Sequence, residues 1–145
     1  MGVVAVTTME SYATIRTGPF RDRLAAATGL ALALVLLAVP FRYTVRAVRL
    51  AHRAGRRAIA PDRAEALVAA VRHTGRLWPV RAACAEISLG TVLAAALLGR
   101  RLDWCLGVRF SPPPTEYHAW TAIPGGGPVG EYTEAGWHHY AALVI

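Results

Sequence analysis

The sequence predicts one small α+β domain in which helices come first and a small antiparallel sheet follows. The chain has 145 residues, enough for one hydrophobic core and seldom for two. Apolar residues recur at helical spacing before Gly99, and from Leu102 they alternate with polar ones as in a half-buried strand. We divide the chain into a flexible start (1–20), apolar and Arg-rich helices (21–60) and a core (61–145), the last two forming one compact domain.

The charge of the chain is positive and unevenly distributed. The formal net charge is +7, and residues 16–57 contain nine Arg and one acidic residue, whereas residues 100–145 contain three Arg and four acidic residues. A basic segment can bind nucleic acid, anionic lipid or an acidic protein. The chain has no zinc-finger spacing and no RNA-binding aromatic signature, so we do not expect a nucleic-acid partner.

The two cysteines, Cys84 and Cys105, exclude several classes of site. Two cysteines are too few for a disulfide scaffold, and their spacing does not fit a metal knuckle. A reducing compartment is therefore expected, which indicates a cytoplasmic protein. Without further context, a free cysteine is interpreted as a small buried hydrophobic residue.

Residues 24–41 contain no charged side chain, and three interpretations compete for them. A transmembrane helix has a suitable length, and the Arg residues after it would place the rest of the chain in the cytoplasm. A signal peptide fits poorly, because Val39 and Pro40 make a weak cleavage site. Against a membrane span, alanine contributes little transfer energy, Thr28 and Gly29 interrupt the run, and Pro40 closes it. The third interpretation is a helix buried in a small domain, so membrane association through residues 24–41 stays open.

The next segment, residues 42–57, predicts an amphipathic helix with a cationic face. Five Arg residues follow one another at spacings of three and four, which places them on one side of a helix. These residues are Arg42, Arg46, Arg49, Arg53 and Arg56. Such a face suits a membrane surface or an acidic peptide, although a solvated face is the simplest interpretation. Gly55 is predicted to end this helix, and Pro61 and Asp62 then begin another over residues 62–73.

A further helix is predicted to begin at Cys84 and to end at Gly99, because apolar residues recur at helical spacing between them. The unpaired backbone N–H groups and the positive dipole end at a helix start stabilise a thiolate. The position of Cys84 therefore suits a nucleophile.

Four strands are predicted after this helix. They cover residues 102–109, 116–123, 128–131 and 137–145, with turn-forming Pro and Gly between them. The alternation in the first strand indicates that Cys105 is structural. In the second strand, His118 and Trp120 share one face.

Cleavage of an amide by a thiol requires an ionised nucleophile, a base that later protonates the leaving amine, and a group that orients the base. Cys84, His118 and Glu131 could supply these three groups in that chain order. Many proteins contain such a trio by chance, so the surrounding sequence has to decide.

The sequences around the three residues are ACAEISLG, YHAWTA and GGGPVGE, and WCLGVR lies between the first two. Over roughly residues 60–145 this pattern resembles the B2 leader peptidases of lasso-peptide biosynthesis. The resemblance implies a transglutaminase/papain-like core of one Cys-bearing helix packed on a small antiparallel sheet. Ala85 and Ile87 stand where the family usually has Leu and Arg, and Glu131 stands where it often has Asp.

The same resemblance implies a cysteine peptidase that removes the leader from a ribosomally made precursor peptide. Cys84 would be the nucleophile, His118 the acid and base, and Glu131 the residue that orients His118. A small leader-binding recognition protein, B1, would present the substrate, and a cyclase would close the ring of the product.

Further residues receive roles on this basis. Trp120 would pack beneath the site, and together with Glu86 and Ser88 it is a candidate for contact with the substrate. The exposed Arg face is a candidate dock for the partner or the leader, through Arg46, Arg49 and Arg53.

No metal ion and no other cofactor is expected. His138 and His139 could be combined with Cys84 or Cys105, but adjacent residues on a strand point to opposite faces and no ligand pair has a usable spacing. Two other functions stay open, namely a membrane-anchored protein that only binds a partner, and acyl transfer to an amine instead of water.

Overall fold

The computed structural model describes residues 18–79, 82–110, 115–131 and 138–145. The helices in these ranges are α1 (Phe20–Leu37), α2 (Phe41–Ala54), α3 (Pro61–Leu77) and α4 (Cys84–Leu97). The strands are β1 (Arg57–Ala58), β2 (Arg100–Arg101), β3 (Asp103–Phe110), β4 (Thr115–Ala122), β5 (Pro128–Val129) and β6 (His138–Val144). The predicted α+β class, with helices before an antiparallel sheet, is confirmed. Most of the predicted flexible start, residues 1–17, lies outside the described residues.

One face of helix α1 packs into the domain, with its small residues against α4, whereas Leu24, Leu32 and Val35 are exposed. The buried residues of α1 are Ala25, Ala26, Gly29, Leu30 and Ala33. A Cβ atom on Gly29 would collide with the carbonyl oxygen of Gly90 in α4, so the two helices approach as only glycine permits. Of the three interpretations of residues 24–41, packing within the domain holds for one face of the helix, and membrane association through the exposed face stays a prediction. None of the helices in the described ranges combines the length and the apolar character that crossing a bilayer requires.

Two contacts fix α2 to the rest of the domain. The hydroxyl of Thr44 donates a hydrogen bond to the carbonyl oxygen of Leu36 in α1 at 2.8 Å. His52 Nε2 lies 2.9 Å from Asp103 Oδ1 at the start of β3. Helix α2 is therefore held both by the preceding helix and by the central strand.

The predicted end of this helix at Gly55 is confirmed, but Arg56, which was predicted to continue its cationic face, lies beyond it. Helix α2 ends at Ala54, and the chain then forms β1, which pairs in parallel with β2. The backbone of Gly55 lies against that of Arg100, where a Cβ atom would overlap the Arg100 carbonyl oxygen. Arg56 therefore does not lie on α2. Two-residue strands have no apolar period, so the sequence pattern could not indicate them.

Helix α3 extends beyond the predicted residue 73 to Leu77. It passes through Gly75, which is buried and whose Cβ would lie 3.0 Å from Ile87 Cδ1 of α4. Glycine weakens a helix by about 1 kcal/mol relative to alanine. The close contact with α4 offers a physical reason for tolerating glycine at this position.

The main sheet is antiparallel, with the strand order β5-β4-β3-β6. Trp104 of β3 packs in the main hydrophobic core, and its indole Nε1 donates a hydrogen bond to Ser88 Oγ of α4 at 2.9 Å. Cys105 and Trp120 are partners on the opposite face of the sheet, within a second and smaller apolar cluster. The sheet therefore buries side chains on both faces.

The pairing of β3 with β6 contains an irregularity at Gly107. The register between the two strands shifts between Leu106 and Gly107. A Cβ atom on Gly107 would overlap the carbonyl oxygen of Tyr140 and lie 3.0 Å from Ala141 Cα. The glycine of the WCLGVR segment is thus required by the close approach of two strands.

Candidate active site

Cys84 is the first residue of α4 and is exposed. The start of the helix is capped by Glu86, whose Oε2 accepts a hydrogen bond from the backbone N–H of Ala83 at 2.9 Å. This is one of the two hydrogen bonds of a capping box. The cap fixes the turn that carries the sulfur, and the positive end of the helix dipole favours a thiolate there.

His118 and Glu131 form a buried hydrogen-bonded pair. His118 lies on β4, Glu131 follows β5, and these two strands pair with each other. His118 Nε2 is 2.9 Å from Glu131 Oε2, and the two side chains are 9% and 8% exposed. Because this bond occupies Nε2, Nδ1 is the ring nitrogen left for proton exchange with a substrate. The ring of Trp120 stacks on that of His118, with centroids 6.0 Å apart and an interplanar angle of 15°.

The turn that carries Glu131 is itself anchored to α3. Gly130 has a φ of 69°, a conformation that favours glycine, and its N–H donates a hydrogen bond to Glu65 Oε1 at 2.9 Å. A Cβ atom on Gly130 would also press against the side chain of Val68. The position of Glu131 therefore depends on packing against a helix from the first half of the chain.

Several positive groups surround the carboxylate of Glu131. Arg72 Nη2 lies 3.8 Å from Oε1 and Arg109 Nη1 lies 3.9 Å from Oε2. Burial alone would raise the pKa of Glu131, but the hydrogen bond from His118 and the charges of His118, Arg72 and His139 outweigh it, so the pKa lies below its ordinary value. The carboxylate therefore stays ionised and able to orient the imidazole.

His139 is a member of this cluster that the sequence interpretation did not assign. It lies on β6, on the far side of β3 from His118, and its side chain is only 5% exposed. His139 Nε2 is 3.4 Å from Glu131 Oε2 but, among the described residues, this buried nitrogen has no hydrogen-bond partner. Burial lowers the pKa of His139, and the opposing attraction of Glu131 does not offset it.

The register of β4 and β6 on β3 explains why the side chains of His118 and His139 lie close together. Gly107 of β3 is the partner of His118 on β4, and Arg109 of β3 is the partner of His139 on β6. Because Gly107 has no side chain, it puts nothing between the two imidazoles, whose centroids are 5.8 Å apart. The sequence indicates the contact between His118 and His139 only through the period of two, which places alternate residues of a strand on one face of the sheet. This period does not give the register in which neighbouring strands pair.

Cys84, His118, Trp120 and Glu131 all line one cavity of about 490 Å³. A second, mainly apolar cavity of about 440 Å³ is also lined by Cys84 and His118, together with Leu106 and Leu143. The three residues predicted as a triad are thus brought to a common cavity. Within the described ranges, no hydrogen bond joins the sulfur of Cys84 to the ring of His118. Catalytic hydrogen bonds are often long in a free enzyme and shorten only when substrate binds.

The other residues singled out from the sequence lie in three environments. Ser88 lines the larger cavity, but its hydroxyl is buried, accepts from Trp104 and donates to the carbonyl oxygen of Ala85 at 3.2 Å. Glu86 caps α4, and Trp120 is buried beside His118. Contact of these residues with a substrate stays a prediction. The residues of the proposed partner surface are exposed, and they are Arg46, Arg49 and Arg53.

Cys105 has a different environment from Cys84. It is 3% exposed, and burial, with a contribution from Asp103, raises the pKa of its thiol to about 11. A buried thiol that stays protonated at neutral pH is a poor nucleophile. Its location on the buried face of β3 gives Cys105 a packing role.

A helix-start cysteine that shares a cavity with a buried histidine–carboxylate pair is an arrangement suited to thiol-dependent acyl chemistry. Residues 26–144 match the family model of the Transglutaminase-like superfamily, and the chain belongs to this superfamily. Domains of this superfamily are usually Cys–His–Asp enzymes that act as peptidases or acyltransferases. No curated protein and no solved structure matches the chain with significance.

Proposed function

We propose that this protein is a cysteine peptidase that removes the leader from a ribosomally synthesised lasso-peptide precursor. The observation that carries the proposal is the buried hydrogen bond between His118 and Glu131 beside a cavity that is also lined by Cys84. The sequence segments around these three residues support the choice of leader peptides as substrates. A leader-binding recognition protein would present the precursor, and a cyclase would act on the released core.

The reaction begins when the Cys84 thiolate attacks the carbonyl carbon that joins leader and core, forming a C–S bond. Backbone N–H groups at the start of α4 would stabilise the oxyanion of the tetrahedral intermediate. The C–N bond then breaks, and the proton on His118 Nδ1 moves to the departing amine of the core. The leader is left as a thioester on Cys84.

Water releases the leader in the second half of the reaction. His118 Nδ1 takes a proton from water, whose oxygen attacks the thioester, and the C–S bond breaks to return the thiolate and give the leader carboxylate. Throughout, Glu131 holds the ring through Nε2 and stabilises the imidazolium that forms. For this cycle the sulfur of Cys84 and Nδ1 of His118 have to approach each other when substrate binds.

The apolar cavity beside Cys84 is suited to a side chain of the substrate. It is lined by Leu106, Val108, Tyr117 and Leu143, next to both Cys84 and His118. Apolar pockets bind apolar side chains through the area that they remove from water. We therefore expect an apolar residue of the precursor close to the cleaved bond.

The experiment that tests this function is incubation of the protein with the precursor and the recognition protein encoded beside it, with mass spectrometry of the products. The expected products are the leader with a new carboxylate and the free core. Cys84→Ala should abolish both, whereas Cys105→Ala, which removes the buried thiol, should still give them. Unchanged processing by Cys84→Ala would rule the peptidase out.

The same experiment separates hydrolysis from acyl transfer. With a primary amine added, an acyltransferase would give a leader that carries the mass of the amine, whereas a peptidase gives the free acid. We expect the free acid, since water needs no binding site of its own in the cycle described above.

The exposed Arg residues of α2 form the proposed partner surface, defined by Arg46, Arg49 and Arg53. A cationic helix face attracts an acidic partner and speeds the encounter with it. Reversal of all three to Glu should weaken binding of the recognition protein or the leader. To control for net charge, reversal of Arg46 and Arg49 alone is compared with reversal of Arg21 and Arg23, which are exposed on α1 and change the charge by the same amount. Equal affinity for both variants would eliminate this surface.

A further inference from the structure

Three potential metal ligands converge in the buried cluster. One ligand atom each from His118, Glu131 and His139 can be chosen so that all three lie within 4.8 Å of one another. Nε2 of both imidazoles faces the same carboxylate oxygen, at 2.9 Å and 3.4 Å. Ligands held about 2.0–2.1 Å from a tetrahedral zinc ion lie about 3.3 Å apart, so these two separations fall on either side of the value for a bound ion.

The unsatisfied nitrogen of His139 is an independent observation that points to a ligand. Its side chain is about 95% buried, Nε2 is directed towards Glu131, and within the described residues it has no hydrogen-bond partner. A buried polar atom without a partner is destabilising, and an ion is one of the few explanations for such an atom. In its neutral form this nitrogen can offer a lone pair to a metal.

We propose that His118, Glu131 and His139 bind one divalent ion of the zinc type, and that the bound ion inhibits the enzyme. Two imidazoles and one carboxylate suit borderline ions such as Zn²⁺ or Co²⁺ better than Mg²⁺ or Ca²⁺, which prefer oxygen ligands. The inhibitory part rests on the proposed peptidase function, whereas the binding part does not.

Inhibition follows from the atoms that the ion would occupy. Coordination uses the lone pair of His118 Nε2, so the proton on that nitrogen leaves to Nδ1 or to solvent. The hydrogen bond to Glu131 is then replaced by two metal bonds, and the imidazole can no longer become the imidazolium that protonates a leaving amine. Metal and catalysis therefore compete for the same two side chains.

Three neighbouring residues affect the strength of this site. Trp120 stacks on His118 and meets the ring of His139 edge-on, with centroids 4.9 Å apart, so it restrains both imidazoles. Arg72 and Arg109 lie within 4 Å of the carboxylate and oppose a cation. We therefore expect binding weaker than at a structural zinc site, which is appropriate for a reversible inhibitor.

Calorimetric titration with Zn²⁺ tests the binding, and a Cys84→Ser background removes the exposed thiol as a competing ligand. We expect one ion per chain. Adding His139→Gln should lower the affinity at least tenfold, since even outer partners of metal ligands are worth about 10–100-fold. The matched control is His138→Gln, because His138 is the exposed neighbour on the same strand. Equal affinity for the two variants would refute the site.

Thermal unfolding provides a second readout that does not depend on activity. Zn²⁺ should raise the Tm of the Cys84→Ser protein, because a ligand that binds only the folded state stabilises it. Glu131→Gln removes a different ligand and should abolish this rise, which covers the case in which His139→Gln fails to fold. A rise of the same size in Glu131→Gln would contradict the proposal.

The inhibitory role is tested with the unmodified protein and the processing assay. Zn²⁺ should slow release of the leader, and a chelator should restore it. Tight binding without any effect on the rate would overturn the inhibition while leaving the site in place. Absence of processing in the metal-free protein would count against the peptidase function, and the calorimetric result would still stand.

Discussion

The indole nitrogen of Trp104 donates a hydrogen bond to the hydroxyl of Ser88, which joins the central strand to the helix that begins with Cys84. Both residues are buried, so the bond is shielded from water. Since β3 pairs with β4, this contact indirectly connects the helix of the thiol to the strand of His118. We expect the alignment of the two halves of the site to depend on it.

A double-mutant cycle measures this contact. Trp104→Phe and Ser88→Ala should each lower the free energy of unfolding, and the double variant should lose less than the sum of the two. The expected coupling is about 1 kcal/mol, the usual net value of a buried neutral hydrogen bond. Urea denaturation of the four proteins gives the value, and strict additivity would show that the bond contributes nothing.

Replacement of Glu131 should slow the reaction without removing the nucleophile. Glu131→Gln keeps the size of the side chain but loses the charge that orients His118 and stabilises the imidazolium, so kcat/KM should fall by about 10²–10⁴-fold. The control is Glu116→Gln, an exposed carboxylate 3.0 Å from Arg109 on the same sheet. If both variants keep full activity, Glu131 is not the third catalytic residue.

The sequence predicted part of the candidate site. It singled out Cys84, His118 and Glu131, which line one cavity, because each lies in a short segment with a characteristic composition. Their catalytic roles stay predictions. His139 was not assigned, because its contact with Glu131 depends on which strands pair and in which register, and the period of two does not fix either. Likewise, the sequence did not show that Ser88 is buried on α4 with its hydroxyl bound to Trp104.

The two thiols should respond differently to alkylation and to pH. Iodoacetamide should label only the exposed Cys84 in the folded protein and both cysteines in urea. Because the pKa of Cys105 is raised to about 11 in the folded state, whereas an unfolded thiol titrates near 8.5, the unfolded chain loses its proton first as pH rises. The contribution of this thiol to the free energy of unfolding is therefore fully present below about pH 8.5 and declines as pH rises towards 11.

Denaturation at several alkaline pH values checks the second part of that prediction. The difference in free energy of unfolding between the unmodified protein and Cys105→Ala should decrease as pH rises through this window. A constant difference would mean that the Cys105 thiol ionises equally easily in both states. Tyrosine ionisation affects both proteins alike and cancels in the comparison.

Gly107→Ala should disrupt the pairing of β3 with β6. The added Cβ has to displace the carbonyl oxygen of Tyr140, and overpacking of this kind costs about 1–3 kcal/mol or more. Gly127→Ala is the matched control, since nothing lies within 4 Å of a Cβ there. Thermal unfolding should show a clear loss of Tm for the first variant only. Similar Tm values for both would contradict the strand approach described here.

A further substitution tests the contact between α1 and α4. Gly29→Ala places a methyl group 2.8 Å from the backbone nitrogen of Ala94, so it should destabilise the domain even though alanine favours helices. Thr28→Ala, at the exposed neighbouring position, should be neutral or slightly stabilising. The interruption of the apolar run by Thr28 and Gly29 was a sign of helix packing, but the sequence could not show which helix would be the partner. Urea denaturation of both variants measures these changes in the free energy of unfolding.

The glycine contact between α1 and α4 joins two segments that are made at different times during synthesis of the protein. Ribosomes make α1 early and α4 much later, so the flat face around Gly29 has no partner while the intervening chain is being made. The helix that begins with Cys84 covers that face, and Trp104 and Val129, which follow α4 in the chain, belong to the same core. The cavity of the thiol also needs His118 and Glu131, so it can form only after most of the chain has been made.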